Sequence, residues 1–251
     1  MQNQQSRETG VAVAPVASPL DAQVLDVLRR YDAPTVANAI ETFNIRPRNT
    51  GFMTPEIRCI FPDFGVMTGY AVTARIRTAE PPQEGEQLVS YPYLDWWNFI
   101  LEQPAPRVVV IQDIDERPGV GSFWGEVHAN IHVALGCVGT VTNGGVRDLN
   151  EVRPLGFHFF AQDVLVSHSY LRMVDFGTPV EVGGITVRTG DLVHADVHGV
   201  QLVPRSIAAD IPAAVDRVLI RERKIIGYCK TPAFTAVGLA ELMRVLQKPR
   251  T

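Results

Sequence analysis

Residues 124–163 read WGEVHANIHVALGCVGTVTNGGVRDLNEVRPLGFHFFAQD, and the order of patterns in this stretch decides the fold class. Gly125 to Leu135 suits a helix, and Cys137 to Thr142 is a short apolar run of the kind found in a buried strand. Asn143-Gly144-Gly145 predicts a turn, Asp148 to Leu155 a short helix, and Phe157 to Ala161 a further strand. Strands alternating with helices predict α/β layering.

The flanks agree. Upstream, Val108-Val109-Val110-Ile111 is a continuous apolar run, as in a strand covered on both faces, and it ends in Gln112-Asp113-Ile114-Asp115. Tyr70, Val72, Ala74 and Ile76 alternate with polar residues in a strand over Gly69 to Thr78. Ser18-Pro19-Leu20-Asp21 reads as a helix start with Ser18 as cap, and a second helix begins near Pro34 and carries Val36, Ala39, Ile40 and Phe43. Residues 1–17 read as a loose tail, and 18–251 as one domain without internal repeats. Downstream, Gly183-Gly184 between Val180-Glu181-Val182 and Ile185-Thr186-Val187 is a hairpin signal. Asp191 to Val203 continues as strand broken at Gly199, Ser206 is placed as the cap of a long helix, and a last helix spans about Thr235 to Gln247.

Composition narrows the function. Of 251 residues 46% are hydrophobic and 20% charged, an ordinary globular profile. Lys plus Arg is 23 against 27 Asp plus Glu, a net charge of -4, without the basic surplus that phosphate backbones or anionic membranes select. The apolar runs are broken well before a membrane span, and residues 1–16 lack the pattern of a secretory signal. Cys59, Cys137 and Cys229 are odd in number and far apart, as expected of reduced thiols in a cytoplasmic protein.

The residue types around the double glycine point to a small anionic ligand. Two glycines let a ligand approach the backbone, and amides at a helix start favour anions. Arg147 adds a planar cationic fork, and Asp148 a hard oxygen suited to Mg²⁺ or Mn²⁺. The pair stands after a buried strand, where open α/β sheets bind ligands. Glu126 opens the preceding helix, so the amides of Val127 and His128 fall in its first turn without helical partners.

Glu126, twenty intervening residues and then Arg147-Asp148, flanked by W-G-E, G-G-V-R-D-L and L-G-F, resembles the RraA-like superfamily of class II pyruvate aldolases, which includes 4-hydroxy-4-methyl-2-oxoglutarate aldolase. Gly190-Asp191 with Ala195-Asp196, then Gly199-Val200 to Pro204, is similar to that family's late strand pair, and the resemblance spans roughly residues 20 to 225. It implies a single RraA-like domain of swivelling-domain-like α/β/α type, with a central mixed sheet and flanking helices. It also implies a Mg²⁺- or Mn²⁺-dependent lyase on a 2-oxo acid, cleaving an aldol to release pyruvate or decarboxylating an oxaloacetate-type acid.

In that scheme Asp148 ligates the metal, Arg147 meets the developing enolate oxygen, the amides of Val127 and His128 hold the substrate carboxylate, and Glu126 acts through metal-bound water on the aldol hydroxyl or the enolate carbon. The assembly implied is a homotrimer or homohexamer with the site between subunits. A glutamate from a neighbour's C-terminal helix completes the family's site, and Glu222 is the nearest candidate here. The sequence departs from the family at Glu126 and Asn143, where Asp is usual, at His128, where Leu is usual, and at His198, where Asp is frequent.

Two other readings stay open. His128 and His132, four apart near Glu126, are candidates for a zinc site with His168, His194 or His198, although the H-E-x-x-H order is absent. A non-catalytic, protein-binding regulator of the RraA type is the other. The aromatic segment Tyr91 to Trp97 reads as a loop that packs in a core or an interface, or forms a substrate wall.

Overall fold

The computed structural model describes residues 18–82 and 93–247; the expected tail, together with Tyr91 and Pro92 of the aromatic segment, lies outside the described residues. In chain order the elements are α1 (Ala22–Leu28), α2 (Ala33–Glu41), β1 (Arg58–Cys59), β2 (Met67–Arg77), α3 (Tyr93–Glu102), β3 (Arg107–Asp113), β4 (Ser122–Trp124), α4 (Glu126–Ala134) and β5 (Cys137–Val146). There follow α5 (Leu149–Val152), β6 (His158–Val164), β7 (Arg172–Phe176), β8 (Val180–Val182), β9 (Ile185–Val187), β10 (Leu192–Asp196), β11 (Gly199–Val203), α6 (Ile211–Cys229) and α7 (Ala236–Gln247).

The result is a mixed α/β fold whose central sheet is nearly closed and flanked by helices. Its strand order is β1-β6-β5-β3-β2-β10-β11, with β4 added on β5 and β7 on β2. The middle, β2-β3-β5-β6, is parallel, and β10 and β11 pair antiparallel at one side. Val109 and Ile111 face a core under α3 and α4. Val108 and Val110 face a second core closed by the β8–β9 hairpin. All four are fully buried, so the unbroken apolar run has the cause read from it. A third core joins α1, α2 and α6 around Tyr70 and Leu192. Among the described residues no helix is long and apolar enough to cross a membrane.

Several boundaries differ from the sequence reading. The first helix is capped by Asp21, whose carboxylate accepts from Gln23 N–H, and not by Ser18. A turn of 3₁₀ helix over Arg205–Asp210 takes up the place assigned to Ser206, so α6 starts at Ile211. Residues from Tyr93 onward form α3, not a loop; its buried side is Trp96, Phe99 and Ile100. Gly144-Gly145 is not a turn. Strand β5 runs through both to Val146, with a register shift against β6. Neither glycine has positive φ. The reason at Gly145 is steric: a Cβ there would meet the Leu165 side chain at 2.2 Å. The Gly183-Gly184 hairpin, by contrast, has both glycines at positive φ, 56° and 76°, as a tight two-residue turn requires.

Candidate functional site

The site is built where β4 and β5 end side by side at the carboxyl edge of the parallel strands. Arg147 N–H donates to Trp124 O at 2.9 Å, which ties the end of β5 to the end of β4. Ser122 Oγ locks the same junction through Trp124 O (2.6 Å) and Gly145 O (2.8 Å). Asp148 then adopts the left-handed conformation, φ 55° and ψ 44°, which costs a non-glycine residue about 1 kcal/mol and is best tolerated by Asp and Asn. This turn swings its carboxylate back onto the start of α4. The helix expected over Asp148 to Leu155 is present as a turn of α-helix, Leu149–Val152, continued as 3₁₀ over Arg153–Leu155, and is too short to add an anion site of its own.

Asp148 Oδ2 accepts the Glu126 N–H at 3.0 Å and lies 3.6 Å from Arg147 Nε. Gly125, the residue before α4, carries no side chain to cap the helix, and Asp148 supplies the acceptor from outside. That contact explains the glycine: a Cβ at Gly125 would stand 2.4 Å from Asp148 Oδ2. Arg147 and Asp148 are each about one third exposed, at 34%, so both are held yet open to a ligand. The Arg147 guanidinium also reaches Val166 O at 3.4 Å.

These residues line a concavity of about 140 Å³. Gly125, Val127 and His128 form its helix side, and Arg147 and Asp148 its floor. Phe123, His168 and Leu171 close it; the sequence singles out His168 only as a further zinc-ligand candidate and places neither Phe123 nor Leu171 in the site, Leu171 because the connection that carries it has no periodicity. The amides of Val127 and His128 find no acceptor among the described residues. The Glu126 side chain is exposed and does not line the concavity. Glu222 donates nothing to this face of its own chain; it accepts from Asn38 Nδ2 at 3.3 Å.

The two histidines of α4 behave differently. His132 is buried, accepts from Trp96 Nε1–H on Nε2 at 3.1 Å and donates from Nδ1 to His128 O at 2.6 Å. Both ring nitrogens are used, and burial pushes its pKa down to about 3, so it is a neutral core group and not a ligand. His128 lies edge-on to Phe123, ring centroids 4.2 Å apart, with Nδ1 buried and unpartnered. Burial, then the Arg147 charge, lowers its pKa to about 4. His194 is buried beneath α1, with Nε2 between Leu28 O and Tyr31 O, and His198 bonds Asp196; neither lines this concavity. No group of three or more His, Cys, Asp or Glu able to hold a metal exists among the described residues, which removes support from the zinc reading.

Beside the site lies a second polar cluster. Asp113, buried at the end of β3, accepts from Thr78 Oγ1 and Gly119 N–H, each at 3.0 Å, and burial raises its pKa. Asn143 clasps the Asp113 backbone from β5, accepting its N–H at 2.7 Å and donating to its carbonyl at 2.9 Å. An aspartate at 143 has no N–H for the second bond, which accounts for the amide there.

Comparison with known proteins agrees with this architecture. The RraA-like family model, described as Aldolase/RraA, matches residues 24–202. An uncharacterized protein from Pseudomonas syringae pv. tomato has a TM-score of 0.69 at 22% identity, covering 94% of this chain and all of that one. The structure of Streptomyces coelicolor RraAS2, titled an unusual member of the RNase ES inhibitor RraA protein family, has a TM-score of 0.63 at 22% identity, covering 86% of this chain and all of that one. A Halalkalibacterium halodurans protein provisionally named 4-hydroxy-4-methyl-2-oxoglutarate aldolase is 31% identical over 72 residues, 28% of this chain and 34% of its own. Protein DlpA of Legionella pneumophila is 23% identical over 130 residues, 51% of this chain; the match spans only 21% of DlpA.

Proposed function

The chain belongs to the RraA-like family, and from that premise we propose that it is a divalent-metal-dependent carbon–carbon lyase of a 2-oxo acid, releasing pyruvate by retro-aldol cleavage or by decarboxylation of an oxaloacetate-type acid. The observation that carries the proposal is the convergence of a cation, a carboxylate and two unpartnered amides, those of Val127 and His128, on one small concavity. The donor set fits Mg²⁺ or Mn²⁺. Asp148 offers one hard oxygen, Oδ1, that takes part in no hydrogen bond among the described residues. Hard cations of this kind keep much of their water and are satisfied by one or two carboxylates plus substrate oxygens. When bound, the ion supplies Lewis acidity at the 2-oxo group.

The chain's own residues do the rest. The amides of Val127 and His128 hold the substrate carboxylate at the helix start. Arg147 faces the keto oxygen, and its guanidinium stabilises the negative charge that gathers there when the C3–C4 bond breaks. The C4 hydroxyl gives up its proton and becomes a carbonyl, the bonding pair flows into the enolate, and protonation at C3 yields pyruvate. Glu126, on the same first turn with its side chain outside the concavity, is assigned the proton transfers through an intervening water. In decarboxylation CO₂ leaves in place of the aldehyde and the same enolate forms.

We place the working site at the interface of a homotrimer or homohexamer. Support comes from the C-terminal helices: α7 has no buried residue among those described, and it exposes Val237 and Val245 while α6 exposes Ile220 and Ile226. Glu222 would then serve a neighbour's site. The test is a panel of oxaloacetate and 4-hydroxy-2-oxo acids, with Mg²⁺ or with EDTA, coupled to pyruvate detection. Metal-dependent pyruvate release, lost in Asp148→Ala, is expected. Absence of turnover on the whole panel would favour a binding protein.

A further inference from the structure

Granted the reading of the site above, the His128 ring is still without a task. We propose that His128 acts through its side chain as well as its amide: Nε2–H donates to the oxygen on C4 of the substrate, and this bond favours aldol cleavage over decarboxylation. The first carboxylate and the 2-oxo group are assigned to the two amides, the metal and Arg147. In both substrate classes the bond that breaks joins C3 to C4, and the oxygen left to recognise is on C4, a hydroxyl in the aldol and a carboxylate in the oxaloacetate-type acid.

The ring is fixed by contacts within its own chain. It stands edge-on to Phe123, centroids 4.2 Å apart, and lies within 20° of parallel to the His132 ring at 6.1 Å. His132 is anchored in turn by Trp96 and by the His128 carbonyl. Nδ1 of His128 is sealed in the fold without a partner. A buried N–H lacking an acceptor is the costlier way to leave that atom, so the proton of the ring sits on Nε2. Nε2 is not sealed, has no partner among the described residues, and belongs to a ring that lines the concavity. Burial and the Arg147 charge hold the imidazole neutral, with a pKa lowered to about 4, so it gives a hydrogen bond and keeps its proton.

The movement of charge sets the preference. In aldol cleavage the C4 hydroxyl loses its proton to the water held by Glu126, its oxygen gains negative charge, and the C3–C4 pair passes into the enolate as that oxygen becomes a carbonyl. A fixed donor binds the alkoxide-like transition state more strongly than the starting hydroxyl and speeds the step. In decarboxylation the C4 carboxylate begins with its full charge and loses it as CO₂ departs. The same donor binds the starting state more strongly and slows that step.

The test measures, on the full chain with Mg²⁺, kcat for the most active 4-hydroxy-2-oxo acid and kcat for oxaloacetate, each corrected for the enzyme-free rate. His128→Leu is expected to lower the ratio of aldol cleavage to decarboxylation at least about tenfold, the scale of losing one oxyanion donor. His128→Gln, which keeps an N–H donor, is expected to restore it to within about threefold of wild type. The ratio compares two activities of one sample, so a partly unfolded variant does not distort it. A second measurement needs no variant activity: ¹⁵N NMR of the wild type at pH 7 is expected to show His128 protonated on Nε2 alone. A ratio unmoved in His128→Leu, an equal loss in His128→Gln, or a proton on Nδ1 overturns this inference and leaves the proposed reaction standing. A wild type that decarboxylates oxaloacetate and cleaves no aldol does the same. Absence of both reactions overturns the reading of the site, and this inference with it.

Discussion

Two polar clusters lie next to each other at the carboxyl edge of the sheet, and they are finished in opposite ways. Around Asp113 the side-chain and backbone groups close on one another: Thr78, Gly119 and Asp115 N–H serve the carboxylate, and Asn143 serves its backbone twice. Around Asp148 the accounts stay open. One carboxylate oxygen caps α4 while the other has no partner among the described residues, two amides point at space, and the backbone at 148 sits in a costly conformation. Closed polar clusters hold a fold, because an unpaired buried group costs about 1–3 kcal/mol. The Asp148 cluster is partly exposed, so solvent meets its open groups, and the backbone strain at 148 is the feature that a bound ligand would put to use.

The comparison can be broken from either side. The largest effect is expected from Asp148→Asn. Asn tolerates the left-handed backbone and still accepts from Glu126 N–H, so the fold and urea midpoint should hold, while metal-dependent pyruvate release falls on the order of a thousandfold. A loss below tenfold would remove Asp148 from the chemistry. Arg147→Lys comes next, with kcat/KM down about a hundredfold in the same assay, since a point charge replaces a planar fork; near-normal kinetics would make Arg147 peripheral. In the closed cluster the sign of the experiment reverses. Asn143→Asp deletes the donor to Asp113 O and sets a carboxylate beside it, so chemical denaturation should show a loss of about 2 kcal/mol. Unchanged stability would show that the clasp is dispensable.

The smallest effect is a pH slope. His132 and His128 are held neutral, with pKa values lowered to about 3 and about 4 from 6.5. The unfolded chain takes up protons below 6.5 that the fold refuses, so their contribution is complete above pH 6.5 and is lost as pH falls toward those values. The loss should be on the order of 1 kcal/mol per imidazole over the first pH unit. Urea midpoints between pH 7 and 5 measure it, and His132→Leu should reduce the slope by that imidazole's share while His128, His158 and His194, lowered by burial as well, keep theirs; an identical slope would assign the acid sensitivity elsewhere.

Much of this was legible in the sequence because the pattern and the physics coincide there. Val108 to Ile111 is uniformly apolar since both sheet faces are covered, and the spacing from Glu126 to Arg147-Asp148 is the length of one helix plus one strand. The misreadings share a cause: glycine, serine and aromatic residues each have more than one use. Gly144-Gly145 makes room for Leu165 and not for a turn. The aromatic run from Tyr93 is a helix because its buried residues fall at positions 96, 99 and 100, a spacing obscured by exposed Tyr93 and Leu94. His168 and Leu171 belong to an irregular connection, brought to the site by Ser122 N–H bonding Ser167 O at 3.0 Å, a long-range contact with no local signature.

The account stands on Asp148 holding a hard cation beside Arg147. Titrating the protein with Mn²⁺ and following the free-ion signal by electron paramagnetic resonance tests it without reference to any substrate. The account predicts saturable binding to the wild type, displaced by Mg²⁺ and absent from Asp148→Asn. Equal binding by the two proteins, or none by the wild type, would contradict it.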